Sequence, residues 1–319
     1  MEREQYLKNL EVPSGCVDVV LDTDTFNELD DQFAVALLLS HPERFHPVGF
    51  CAAPFLNANS SSPEDGMEKS YQELMKILTL MEREDLKAVT FRGSRHYCPD
   101  EKTPVPSEAA RFLAETAEKY SPQNPLYIVA IGAITNVASA ILLNPKAMTE
   151  NTVIVWLGGH AVHWRDTKEF NMRQDIAGAR VLFGCGVPLV QLPCMGVVSA
   201  FCVTKGELEQ WLRGTTPIGE YLADNTVREC ERYAAGTAWS RCIWDVTVVG
   251  WLLNDGGRFM SSYVMPAPIP QYDGYYSFDN SRHPMRYVDH IHRDALMTDM
   301  LSRIAAYTPA TDCRKGGNE

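Results

Sequence analysis

Apolar runs of strand length alternate with segments of helical period along most of this chain, and that alternation restricts the fold more than any other feature. Cys16 to Leu21 (CVDVVL) predicts a buried strand, and Asp31 to Leu39 (DQFAVALLL) a helix. A second strand is expected at Val48 to Ala53, then a loop rich in Asn and Ser, then a helix from Glu68 to Met81. Leu126 to Ile131, Val153 to Leu157 and Val187 to Leu192 predict further strands. Thr135 to Leu143, Ile176 to Phe183, Asp245 to Leu253 and Arg293 to Tyr307 predict further helices. Parallel strands need a long crossover, usually a helix, to connect them. Repeated strand, turn and helix therefore predict an α/β fold: an open, mostly parallel sheet with helices on both faces. The Pro- and Tyr-rich stretch Met265 to Pro284 has no period and predicts a surface excursion. With no repeat, low-complexity tract or linker, residues 1–319 read as one domain.

The formal net charge of -12, with no Lys/Arg-rich run, sets up a field that repels nucleic acid. A small neutral ligand, or a cation held by some of the carboxylates, is the expected partner. No apolar run reaches transmembrane length, and the opening MEREQYLKNLEVPSG has no signal-peptide pattern. A cytoplasmic protein without membrane contact is expected. The nine cysteines are scattered and mostly within apolar elements, which predicts buried free thiols in a reducing compartment. No CxxC or Cys/His cluster points to zinc.

The chemistry concentrates where the first predicted strand ends, because open parallel sheets bind ligands at the carboxyl ends of their strands. There the chain reads Asp22-Thr23-Asp24-Thr25-Phe26-Asn27-Glu28-Leu29-Asp30-Asp31. Five carboxylates in ten residues repel one another, and burial without compensation raises their pKa values. A hard cation with oxygen ligands, a helix N-terminus or protonation would compensate them. An isolated Asp-Asp before a helix is usually only a cap. With Asp22 and Asp24 at a strand end as well, a metal or catalytic site becomes the better explanation.

Two families open in this way. Haloacid-dehalogenase-like phosphatases begin with DxDx and then Thr or Val, but here Phe26 holds that place and no later Gly-Asp-x-x-x-Asp follows. The inosine-uridine-preferring nucleoside hydrolases begin with Asp-x-Asp, a short turn, and Asp-Asp opening an Ala/Leu-rich helix. Asp22 to Asp24 and Asp30 to Leu37 resemble that opening, with a turn longer by two residues that holds Asn27 and Glu28. Gly132-Ala133-Ile134-Thr135-Asn136-Val137-Ala138 resembles the family's Gly-x-Leu-Thr-Asn-Ile-Ala segment. Leu157-Gly158-Gly159, Glu169-Phe170-Asn171 and Asp175 resemble its Met-Gly-Gly and Glu-Phe-Asn-x-x-x-Asp segments. Trp244-Asp245 stands where many members have His-Asp. Each fragment alone reads more simply as a turn or a cap. Their shared order over nearly the whole chain identifies a divergent member.

The resemblance implies a nucleoside hydrolase fold with a Rossmann-like core, and one calcium ion per subunit held by Asp24, Asp31, the Thr135 carbonyl and Asp245. It implies hydrolysis of the N-glycosidic bond of a nucleoside or related riboside, with Asp24 taking a proton from water. Asp30, Glu169, Asn171 and Asn57 would hold the ribose. Trp244 cannot donate a proton as a histidine would, but it can stack on a base, which favours a purine and a place in purine salvage. His160, His163 and Phe55 are candidates for the leaving-group side, and Ser277 to Met285, with Arg282 and His283, for a lid. A homodimer or homotetramer is expected from the family. A riboside-binding relative without turnover is the main alternative.

Overall fold

The computed structural model describes residues 1–309. Its strands are β1 (Val17–Thr23), β2 (Phe45–Ala52), β3 (Thr90–Arg92), β4 (Leu126–Ala130), β5 (Thr152–Leu157), β6 (Leu189–Leu192), β7 (Cys202–Thr204), β8 (Ser240–Cys242), β9 (Met260–Pro266), β10 (Ile269–Pro270), β11 (Tyr276–Ser277) and β12 (Pro284–Ile291). Its α-helices are α1 (Arg3–Asn9), α2 (Asp30–Leu39), α3 (Pro63–Leu80), α4 (Glu108–Ala117), α5 (Thr135–Leu143), α6 (Pro145–Asn151), α7 (Phe170–Gln174), α8 (Ile176–Gly184), α9 (Lys205–Trp211), α10 (Pro217–Ala234), α11 (Val246–Leu252) and α12 (Arg293–Ala305).

Eight strands form one sheet in the order β3-β2-β1-β4-β5-β6-β12-β9. All neighbours are parallel except β12 and β9, which run antiparallel. The strands read as continuous apolar runs because both faces are covered. Successive side chains point to opposite faces. Val19, Leu21, Tyr127, Val129, Val153 and Val155 accordingly join one core, and Val20, Ile128, Ile154 and Trp156 the other. Helix α2 is buried at every position, from Asp30 to Leu39, and has no polar face. It packs against α11 and α12.

Strand order reverses between β1 and β4: β2 and β3 lie on one side and β5 and β6 on the other. Such a switch point opens a crevice beyond the strand ends, because the flanking loops diverge to opposite faces.

The expected parallel α/β sheet is present, with differences at the edges. Helix α3 starts at Pro63, five residues before the predicted Glu68. Ser62 caps it by accepting from the Asp65 amide at 3.1 Å, and proline suits the first helical turn. The stretch Met265 to Pro284 carries the small β10–β11 hairpin between β9 and β12, so the aperiodic excursion is inserted between two sheet strands. No helix among the described residues is long and apolar enough to cross a membrane.

Candidate functional site

The end of β1 delivers Asp22 to the crevice, and Asp24 follows just past the strand. Asp22 Oδ1 accepts from Asn136 Nδ2 at 2.8 Å, while Oδ2 is buried without a partner among the described residues. Burial pushes the Asp22 carboxyl up to about 7, against the pull of the Asn136 amide. Asn136 also donates to the Ala52 carbonyl at 3.1 Å, and its Oδ1 accepts from the Ser94 amide at 2.8 Å. One side chain in the first turn of α5 thus ties together the ends of β1, β2 and β3.

Both carboxylate oxygens of Asp24 are buried and unpartnered among the described residues. Its carboxyl is held well above the usual range, first by burial and then by Asp31 and Asp30. Gly132 makes room for it: a Cβ there would stand 2.9 Å from Ala53 Cβ and 3.2 Å from Asp24 Cγ.

Asp30 and Asp31 open α2, where free backbone amides and the helix dipole favour negative charge. Thr23 Oγ1 donates to Asp31 Oδ1 at 2.5 Å. Asp245, just before α11, approaches from the far end of the chain, and its amide donates to Asp30 Oδ2 at 3.4 Å. Oxygens of Asp30, Asp31 and Asp245 all lie within 4.8 Å of one another. Burial raises all three carboxyls, helped by Glu28 at Asp30, by Asp30 at Asp31, and by Asp30 and Asp31 at Asp245. Ligands about 2.3–2.6 Å from a shared calcium lie within about 5 Å of each other, so the spacing fits a divalent cation. The orphaned oxygens of Asp24 beside the trio fit the same conclusion, since buried anions need a counter-charge or a proton.

Above the carboxylates lies a cavity of about 210 Å³. Asn27, Glu28, Asp30, Glu169, Asn171 and Asp245 give it polar walls, and Ile131, Leu157, Phe170, Cys194 and Trp244 complete it. Glu169 caps α7. Its Oε1 accepts from the Asn171 amide at 2.8 Å, and its Oε2 from the Gly159 and Met172 amides at 3.0 and 2.9 Å. Burial nevertheless pushes its carboxyl up to about 7. Gly159 adopts φ +75, and a Cβ there would strike the Tyr276 hydroxyl at 2.1 Å. Asn171 Nδ2 donates to the Ile131 and Leu157 carbonyls at 3.1 and 3.0 Å, which joins the loops after β4 and β5.

The structure therefore brings Asp24, Asp30, Asp31, Asp245, Glu169, Asn171 and Trp244 to one crevice. Thr135 lies at the start of α5, where its hydroxyl donates to Asp175 Oδ2 at 2.5 Å. Asn57 does not line the cavity but donates to Asn27 Oδ1, which does, at 2.6 Å. Phe55, His160 and His163 also lie off the cavity wall. Phe55 is fully buried. His160 Nδ1 accepts from the Met195 amide at 3.2 Å, and burial lowers its pKa. His163 stands beside Gly196. Arg282 donates to the Phe183 carbonyl, which fixes the predicted lid segment against α8.

The roles of three residues escaped sequence reasoning: Arg241, Asn136 and Thr23. Arg241 Nη2 donates at 2.6 Å to Glu28, the turn residue already singled out in sequence, on the cavity wall, and Arg241 draws the Asp30 carboxyl downward. Asn136 and Thr23 orient Asp22 and Asp31. The Thr-Asn pair at a helix start was a visible signal; the Glu28–Arg241 contact spans the fold and had none. The cysteines also depart from expectation: Cys16 is disulfide-bonded, and of the free thiols Cys51, Cys98 and Cys230 are buried, while Cys185, Cys194, Cys202 and Cys242 are half-buried.

A sequence model of the inosine-uridine preferring nucleoside hydrolases matches residues 19–297. The chain belongs to that family. Its match to the pyrimidine-specific ribonucleoside hydrolase RihB of Escherichia coli O1:K1 is 26% identical over 163 residues, covering 50% of this chain and 51% of that protein. The putative RihB of Shigella boydii serotype 4 matches at the same identity, with 66% of its length covered. The chain thus spans between about half and just under two thirds of these curated relatives. Among solved structures, the purine-preferring ribonucleoside hydrolase from Gardnerella vaginalis superposes with a TM-score of 0.73 at 19% identity, covering 91% of this chain and 98% of that one. The plant nucleoside hydrolase PpNRh1 gives 0.72 at 19%, covering 91% and 99%. These likenesses establish that this family member has the nucleoside hydrolase fold.

Proposed function

We propose that this nucleoside hydrolase family member cleaves the N-glycosidic bond of a ribonucleoside, releasing free base and ribose. A divalent cation of the calcium class would be held by Asp24, Asp31, Asp245 and the Thr135 carbonyl, with Asp30 beside them. The burial of these four aspartates together, with Asp30 and Asp245 on the wall of a cavity of about 210 Å³, carries the reading. Oxygen-only donors suit calcium or magnesium better than zinc.

When bound, the cation neutralises the carboxylates and makes a nearby water more acidic. Asp24, whose oxygens have no protein donor, takes the proton of the attacking water. The water oxygen bonds to the anomeric carbon, and the electrons of the breaking C–N bond leave with the base. Asp30, Glu169 and Asn171 hold the ribose hydroxyls, and Asn57 contributes through Asn27. Their charges and dipoles favour the cationic sugar of the transition state. Glu169 is held by three amides before substrate arrives, so its orientation costs little at the moment of reaction.

Trp244 offers the base a stacking surface. No histidine lines the cavity among the described residues, which supports a base that leaves by stacking rather than by protonation from His160 or His163. A purine gives the indole the larger partner. The same lack of an acid favours a second reading, a riboside binder without turnover.

The deciding assay incubates the protein with purine and pyrimidine ribosides and follows free ribose, with and without chelator. Release that stops with chelator and returns with calcium supports the hydrolase. Riboside binding without ribose release supports the binder.

A further inference from the structure

Behind the Trp244 wall, β7 and β8 pair antiparallel, with Cys202 directly opposite Cys242. The next pair carries the hydrogen bond: the Ile243 amide donates to the Phe201 carbonyl at 3.0 Å. Pairs alternate along an antiparallel ladder, so Cys202 and Cys242 form a non-hydrogen-bonded pair, the kind whose Cα atoms stand about 4.5 Å apart. That separation lies within the roughly 4.4–6.8 Å range of disulfides. Both thiols are half-buried, so a small reagent can reach them. Cys202 Sγ points to the Ser199 carbonyl at 3.4 Å and Cys242 Sγ to the Val198 carbonyl at 3.6 Å, which holds both over the same short turn. The sulfurs of Cys194, Cys202 and Cys242 do not all come within 4.8 Å of one another, so a three-thiol metal site is not formed.

We propose that Cys202 and Cys242 form a reversible intramolecular disulfide that pins the β8 strand, and with it one wall of the cavity. Two anchors give that link its leverage. The Cys202 carbonyl accepts from Arg293 Nη2 at 2.8 Å, which fastens β7 to α12. Strand β8 carries Arg241, the partner of Glu28, and runs directly into Trp244 and Asp245.

The oxidant is a low-molecular-weight disulfide. Burial, Cys202 and Asp30 push the Cys242 thiol up, so the first attack falls to Cys202. Its thiolate attacks one sulfur of the reagent, forming a mixed disulfide and expelling one reagent thiol. Cys242 then attacks the Cys202 sulfur, forming the protein disulfide and expelling the second reagent thiol. The protein loses two hydrogens and two electrons, and the reagent is reduced to two thiols.

The test treats the folded full-length protein with glutathione disulfide, blocks remaining thiols, and maps linked peptides by mass spectrometry. A linked peptide pair joining Cys202 and Cys242, reversed by dithiothreitol, is expected. Amide exchange across residues 240–245 should slow by about tenfold or more in the oxidised protein. Cys202→Ser and Cys242→Ser should each abolish the link and the protection, and Cys194→Ser should keep both. Linkage of Cys242 to Cys194, or glutathione adducts that persist on Cys202 in folded protein, would overturn the pairing. A 202–242 link with unchanged exchange would overturn the pinning. Since wild-type protein supplies the linkage result, a variant that fails to fold does not decide the matter, and neither readout depends on turnover.

Discussion

Asn136 stands 2.8 Å from Asp22, its Nδ2 donating to one carboxylate oxygen while its own Oδ1 receives the amide of Ser94. Both residues are fully buried, so neither can exchange its partner for water. Asn136→Leu should cost at least about 3 kcal/mol of unfolding free energy, because the buried Asp22 carboxylate, the Ala52 carbonyl, and the Ser94 amide and hydroxyl all lose a partner at roughly 1–3 kcal/mol each. Asn136→Asp should cost more at pH 8 than at pH 5, since it sets a second carboxylate against Asp22. Urea denaturation at the two pH values decides it, and an equal loss at both would contradict this account of the pair.

Asp31→Asn should separate repulsion from cation binding. Without cation, the variant removes a buried carboxylate that repels Asp24 and Asp245, and it should melt at a higher temperature than wild type in chelator. With calcium the order should invert. A ligand at a hundredfold over its Kd adds about 2.7 kcal/mol to a protein that binds it, and the variant should lose most of that gain. Thermal melts with chelator and with calcium test both halves.

Glu169 gives a pH dependence of definite sign. Burial raises its carboxyl to about 7 from 4.5. A raised carboxyl binds its proton more tightly in the folded state, so its stabilising contribution is complete below about 4.5 and fades as pH rises through about 7. Wild-type stability relative to Glu169→Gln should therefore decline between pH 5 and 8. Paired denaturation curves in chelator would show it, and a widening margin would mean that the three amide donors outweigh burial.

Trp244→Ala should lower kcat/KM for purine ribosides by about tenfold, and Trp244→Phe by less. Aromatic stacking contributes about 0.5–1.5 kcal/mol, and each 1.36 kcal/mol is tenfold in rate. Pyrimidine ribosides should lose less in the same assay. Equal losses for both base classes would assign Trp244 to packing alone.

Strand β1 and helix α2 were legible in sequence because an apolar run, a burst of carboxylates and a second apolar run follow one another without interruption. Asp245 was visible as an acid ahead of an apolar helix. Its approach to Asp30 and Asp31 was not, because it depends on how α11 packs on α2. Strand β12 escaped detection because it carries Arg286, Asp289 and His290. Arg286 is buried all the same, its Nε donating to the Leu10 carbonyl at 2.9 Å. The Glu28–Arg241 pair joins residues 213 apart, beyond the reach of local pattern. His160 looked available in sequence, and only the fold shows its ring turned to the Met195 amide.

The contact between Asp245 and Asp30 closes a span of 215 residues. Four of the five site aspartates lie on one short turn of the N-terminal strand and helix, but the fifth is made long afterwards. A growing chain therefore carries an incomplete carboxylate cage until α11 has been synthesised and has docked on α2. Contacts between such distant segments form slowly, since loop closure precedes any gain from them. Cation-sensitive refolding should thus be confined to the final docking step, and a bound ion would report that both ends of the chain have met.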